Sequence, residues 1–211
     1  MNRRNVLRRL GALALFAGSA GFALAQGKNR FITLNPPVQT DVEGKIEVIE
    51  FFYYSCPHCR EFDPILQEWL KNLPTDAVFT RVPVSWSNRD TRRQAEARLY
   101  YALQSVDRVG DLHEKVFTAI HDARMNPASE DEVREWAGKQ GLDAKAFVDA
   151  YKSFGVQTRV QRAMQLARAY KIEAVPTLAV GGRFVTSASQ AGGHRGALAE
   201  VDRLIGLARR K

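Results

Sequence analysis

Cys56 and Cys59 are the only two cysteines of the 211-residue chain, and they lie in a single short run, Cys56-Pro57-His58-Cys59. A bridge across two intervening residues removes almost no entropy from the unfolded chain, so it does little for stability. A pair that stabilises so little is suited to chemistry: reversible passage between dithiol and disulfide. Such a pair could also be half of a zinc site. Structural zinc needs four ligands; no second pair of cysteines follows, and His113, His121 and His194 show no paired ligand spacing. No metal is therefore expected, and no cofactor beyond the Cys56–Cys59 disulfide itself.

The reactivity of the pair depends on the elements around it. Ile46 to Tyr54 is almost continuously apolar and rich in Ile, Val, Phe and Tyr, the pattern of a strand buried on both faces. Phe62, Ile65, Leu66, Trp69 and Leu70 then recur at helical spacing, with Pro64 inside the helix and Pro74 beyond it. The cysteines thus fall where a buried strand gives way to a helix. A thiol at a helix N-terminus meets unpaired backbone N–H groups and the positive end of the helix dipole, both of which favour thiolate. Pro57 suits the first turn, where no N–H is needed, and His58 can add a donor or a positive charge. Cys56 is therefore expected to be acidic and the more exposed of the two, and Cys59, one turn in, buried and less acidic. Stabilising the Cys56 thiolate stabilises the reduced form, which makes the disulfide oxidising. An incoming thiolate would attack Cys56 and form a mixed disulfide, which a second thiol would resolve.

The remaining sequence divides into three parts. Val78 to Val84 reads as a second strand, which completes a βαβ unit with parallel strands. Residues 88–170 carry only helical stripes. Among them, Ser129 with Glu132 forms a capping box, Asp143 can cap the next helix, and Val156, Val160, Ala163 and Ala167 mark a long last helix. Strand character returns at Ala174 to Val180, Gly181-Gly182 reads as a hairpin turn, Phe184 to Ser187 returns, and Leu198, Val201, Leu204 and Ile205 mark a final helix. Trp69, Trp86 and Trp136 are assigned to the core, and His113 and His121 to surface or satisfied packing positions. The expected fold is α/β and thioredoxin-like: a central mixed sheet flanked by helices, built from residues 26–87 and 171–211, with an all-helical insertion at 88–170.

The segment Glu50-Phe51-Phe52-Tyr53-Tyr54-Ser55-Cys56-Pro57-His58-Cys59 resembles the active-site segment of the DsbA family of periplasmic dithiol oxidases. Ala174-Val175-Pro176-Thr177 is similar to the cis-proline loop of thioredoxin-fold oxidoreductases. The resemblance implies that Cys56 is the nucleophile and Cys59 its resolving partner, with Pro57 and His58 tuning the redox potential. It also implies that Pro176 is a cis-proline facing the disulfide and that Val175 offers its backbone to an extended substrate. Glu50 matches a partly buried acid beneath the site, a proton acceptor for the Cys59 thiol. The sequence departs from the family pattern at Asp63 and Arg81, where a glutamate and a lysine are expected. Charge is kept but geometry is not fixed, so no charge pair with Glu50 is assigned.

Residues 1–25 have the pattern of a cleavable export signal: Arg3, Arg4, Arg8 and Arg9, an apolar run from Leu10, and Ala23-Leu24-Ala25 at its end. Arg3-Arg4 leaves twin-arginine export open beside the ordinary route. Without those four arginines the formal charge of +8 falls to +4, and the remaining Lys and Arg are scattered among acids, which argues against a nucleic-acid partner. The expected location is the periplasm, where a dithiol can persist as a disulfide. The expected clients are newly exported, unfolded proteins with free cysteines, and the expected regenerating partner is a quinone-linked membrane protein like DsbB. A monomer is expected, since no segment is spare for a dimerisation domain. A reductase or isomerase on the same fold, or a redox-inert peptide-binding module, are the alternatives; serine at Cys56 would abolish the oxidase and the reductase or isomerase activity and spare peptide binding.

Overall fold

A computed structural model describes residues 29–210. The export signal expected over residues 1–25 lies outside them. The chain begins with β1 (Ile32–Thr33), β2 (Ile46–Phe52), α1 (Pro57–Leu70) and β3 (Ala77–Pro83). Five helices follow: α2 (Thr91–Ser105), α3 (Val109–His121), α4 (Glu130–Lys139), α5 (Ala144–Lys152) and α6 (Phe154–Ala169). It closes with β4 (Thr177–Val180), β5 (Phe184–Ser187), α7 (Ala188–Ala191) and α8 (His194–Ala208). The sheet runs β1-β5-β4-β2-β3, with β2 and β3 parallel and the other neighbours antiparallel. This is the thioredoxin-like mixed sheet with an all-helical insertion between β3 and β4.

Alternation along the strands separates two cores. Val48, Leu178 and Val180 pack with Phe62 and Leu66 of α1 and with Val201, Leu204 and Ile205 of α8. Ile49, Phe51 and Ala179 join the second core, which continues into the insertion through Leu99, Leu103, Val116, Val160 and Ala163. The central strand β2 is therefore buried on both faces, as its apolar run requires. The β4–β5 hairpin turns through Gly181 and Gly182, both at positive φ (56° and 69°); Arg183 N–H closes on the Val180 carbonyl at 3.1 Å, and residues 181–183 separate the paired Val180 and Phe184. At Gly182 any Cβ would fall 2.0 Å from the Val38 carbonyl oxygen, so only glycine lets the lead-in segment pair there.

Several expectations need correction. The strands are shorter than their apolar runs: β2 stops at Phe52, and residues 174–176 form a loop in front of β4. The capping box of α4 is half made: Ser129 Oγ accepts the Glu132 N–H, but the Glu132 carboxylate accepts from Asn126 N–H instead. Asp143 caps α5 as read, accepting from Ala146 N–H at 3.0 Å. Of the three tryptophans only Trp136 is buried; Trp69 is half-buried, and Trp86 is 36% exposed. Trp86 is held by one polar contact, Nε1–H to the Ile172 carbonyl at 2.8 Å, and its ring packs on Tyr53 and under Arg93.

Candidate active site

The site is built at the junction of β2 and α1. Cys56 is the N-cap residue of α1 in extended conformation, and Pro57 opens the first turn. The Cys59 N–H points at Cys56 Sγ across 3.3 Å, so the thiol occupies the position of a capping oxygen. Hydrogen bonding from the Cys59 thiol, from the backbone N–H groups of Cys59 and His58, and the charge of His58 together outweigh burial and lower Cys56 to about 6. Cys59 moves in the opposite direction. Burial raises it first, and the Cys56 sulfur and the Glu50 carboxylate add to the effect. The expected split between an acidic Cys56 and a buried, less acidic Cys59 is present. The exposure difference is small: Cys56 is 3% exposed and Cys59 not at all. His58 is exposed at the rim, with Nδ1 3.5 Å from Glu61.

The antiparallel β2–β4 pairing brings in the distant loop. Phe51 pairs with Thr177, which sets residues 174–176 beside the end of β2. The Val175–Pro176 peptide is cis, and Cys56 Sγ lies 3.8 Å from the Val175 carbonyl oxygen. Val175 is half-buried and Pro176 buried.

Behind the thiols lies a buried charge cluster that corrects the sequence reading. Glu50 and Arg81 are register partners on the parallel strands β2 and β3. Arg81 Nε donates to Glu50 at 3.0 Å, and Arg81 Nη2 donates to Asp63 of α1 at 2.8 Å. The charge pair left unassigned is thus formed, with a third member. Glu50 is fully buried, 2% exposed, not partly buried as expected. Burial, helped by the charges of Asp63 and Cys56 and opposed by Arg81, raises it to about 7. Its hydrogen-bond partner is Arg81 and not the Cys59 thiol. Asp63 is also buried, yet His113 and Arg81 hold its carboxyl below the usual range. His113, assigned to packing, is buried within this cluster: Nε2 is 3.5 Å from Asp63 and Nδ1 is 2.8 Å from the Tyr54 hydroxyl. Burial pulls its pKa down, so the neutral ring accepts from Tyr54 at Nδ1 and turns Nε2–H toward Asp63. His121 is part-buried and bonds the Tyr54 carbonyl at 2.8 Å.

A mixed sheet with an all-helical insertion, carrying an acidic cysteine at a helix cap beside a cis-proline loop, defines a thioredoxin-fold dithiol oxidoreductase. Residues 66–198 match the DsbA-like thioredoxin domain. Over 201 residues the chain is 45% identical to the thiol:disulfide interchange protein DsbA of Bordetella parapertussis, covering 93% of this chain and 94% of that one. To the protein of the same name from Pseudomonas aeruginosa PAO1 it is 33% identical over 205 residues, 96% and 95% of the two chains. The crystal structure of Pseudomonas aeruginosa DsbA superposes with a TM-score of 0.81 at 32% identity, over 86% of this chain and 93% of that one. The chain belongs to the DsbA family and is a thiol:disulfide oxidoreductase. The domain match begins inside α1, downstream of both cysteines; they are reached through the relatives that span nearly the whole chain.

Proposed function

We propose that the chain is a periplasmic dithiol oxidase that transfers the Cys56–Cys59 disulfide to newly exported proteins. The observation that carries this reading is the opposite displacement of the two thiols, Cys56 down to about 6 and Cys59 upward. A helix cap that stabilises the Cys56 thiolate stabilises the reduced protein and so drives electrons from client to enzyme.

In the oxidised enzyme a client thiolate attacks Cys56 Sγ. The Sγ–Sγ bond breaks, its electron pair leaves on Cys59, and Cys59 takes up a proton. A second client thiolate then attacks the client sulfur of the mixed disulfide, and Cys56 departs as a thiolate. The client has lost two electrons and the enzyme has gained them. Low-pKa thiols leave readily, which suits Cys56 to the second step. Glu50, poised at about 7 behind Cys59, serves as the proton store for Cys59. The Val175 backbone receives the extended client segment beside Cys56, with Pro176 forming the wall of the site; Pro57 and His58 set the potential. The partner that returns the enzyme to the disulfide form is a quinone-linked membrane protein like DsbB, and the protein acts as a monomer.

The test is equilibration of the protein with glutathione, followed by oxidative refolding of a reduced model protein. The oxidase reading expects a disulfide more readily reduced than glutathione disulfide and stoichiometric oxidation of the model protein. Cys56→Ser should abolish the transfer. A disulfide that resists reduction by glutathione would reverse the direction of electron flow and overturn the reading.

A further inference from the structure

Cys56 is delivered to the helix cap by a tight turn: the Cys56 N–H closes back on the Tyr53 carbonyl at 3.2 Å, with Tyr54 and Ser55 between. The central peptide unit of that turn joins the Tyr54 carbonyl to the Ser55 N–H. Both of its ends are held from the helical insertion. Glu96 of α2, itself completely buried, accepts the Ser55 N–H at 3.0 Å through Oε2. His121, the last residue of α3, bonds the Tyr54 carbonyl at 2.8 Å through Nε2. Glu96 also has the Ser55 side chain within hydrogen-bonding reach, and Arg92 Nε lies 3.3 Å from Oε1 at the surface.

We propose that Glu96 and His121 are positioning residues that clamp the Tyr54–Ser55 peptide from opposite ends and thereby fix the orientation in which Cys56 enters the N-terminus of α1. A turn's central peptide is the unit whose rotation converts one turn type into another. With either end released the turn is free to adopt other dihedral angles, and the angle at which Cys56 joins α1, which sets the line from its sulfur to the Cys59 and His58 N–H groups, is no longer fixed. A carboxylate is seldom buried without a purpose, because desolvation costs several kcal/mol unless the group is paired. Glu96 touches neither sulfur and belongs to neither the proposed electron path nor the proton path. What its burial secures is Ser55, above all its backbone N–H, one residue before the nucleophile. The aromatic packing of Tyr53 under Arg93, on the same face of α2, holds the preceding residue from the same side.

This inference rests on Cys56 being the reactive thiol, and its test uses the reduced protein alone, without a client. The readouts are the titration midpoint of Cys56 by thiolate absorbance and its alkylation rate by iodoacetamide at acid pH. Glu96→Asp keeps the charge but shortens the reach; Glu96→Gln keeps an acceptor and loses the charge. The clamp requires Glu96→Asp to raise the midpoint by about one pH unit, slowing alkylation below the midpoint about tenfold, and Glu96→Gln to retain the wild-type titration. His121→Ala should raise the midpoint similarly, and Glu96→Asp with His121→Ala should do little more than either alone, because one peptide is freed in each case. An effect of charge alone gives the reverse pattern: Glu96→Gln lowers the midpoint and Glu96→Asp leaves it unchanged. That result overturns the clamp, as does a midpoint unmoved in every variant. Should the variants fail to fold, hydrogen exchange in the wild type decides: the Ser55 amide must be strongly protected, and exchange at the rate of an open loop overturns the inference. An acidic wild-type midpoint with unaffected variants would discard the clamp and leave the proposed oxidase intact.

Discussion

The two sides of the first turn of α1 treat negative charge in opposite ways. On the cap side, Cys56 faces backbone N–H groups, and its thiol is lowered to about 6 although it is nearly buried. On the inner side, Cys59 and Glu50 share a buried space with a second carboxylate, Asp63, and the one cation among the four, Arg81, is divided between the two acids. There Cys59 and Glu50 are both displaced upward. The lesson is that burial by itself does not set reactivity. Oriented donors outweigh burial at one sulfur; at the other, only one helical turn away, burial goes uncompensated and the neighbouring acceptors add to its cost.

The largest effect should come from removing the cation. Arg81→Met leaves Glu50 without a partner and Asp63 with His113 and Gln67 alone, and breaking a buried pair in this way costs about 3–5 kcal/mol. Urea unfolding at pH 7 should show a loss of that order, shrinking as the pH falls and both carboxylates take up protons. An unchanged midpoint would mean that the inner side tolerates unpaired charge.

Next in size is the pH dependence of the reduced protein. The Cys56 pKa is depressed in the folded state, so its stabilising contribution is fully present above the unfolded thiol value, near 8.5, and is lost as pH falls through about 6. The stability of the reduced form relative to the disulfide form should therefore decline by a few kcal/mol between pH 9 and pH 5. Parallel denaturation curves of the two forms measure it; a gap that stays constant or widens toward acid would remove the cap effect.

Glu50→Gln should slow the step that takes the proton from Cys59 by about tenfold and erase an inflection near pH 7 from the rate of reoxidation by a small disulfide. Stopped-flow traces between pH 5.5 and 8.5 report it. If the inflection persists in the variant, Glu50 is not the proton store. The smallest effect belongs to His58→Asn. His58 is exposed and its charge is screened, while its backbone donor survives the change. The Cys56 titration should rise by less than about one unit; a larger rise would put the side chain, and not the backbone, in control of the cap.

Much of this arrangement is legible in the sequence because it is local. The β2–α1 junction follows from an apolar run, a proline at the first helical turn and helical spacing beyond it. The helical insertion follows from stripes without strand character, and the hairpin from Gly181-Gly182. What was not legible depends on register or on contacts across the fold. The Glu50–Arg81 pair is set by which residue of β3 lies opposite which residue of β2, and a one-residue slip would have turned Arg81 to the other face. His113, His121 and Glu96 lie on helices whose stripes announce only a core face. Nothing in their spacing shows that the insertion packs these polar groups against the turn at residues 53–56. Trp86 was misassigned because a tryptophan's bulk suggests interior, while its indole N–H is satisfied here by a single loop carbonyl at the rim.

The insertion between β3 and β4 also has a consequence for the order in which the protein is made. Cys56 and Val175 touch in the finished fold, but 119 positions of chain separate them. A growing polypeptide therefore presents both sulfurs to its surroundings long before the ribosome has supplied the segment that walls them in. A chain halted before residue 175 carries both thiols at its β2–α1 junction but lacks the carbonyl that Cys56 meets in the finished fold.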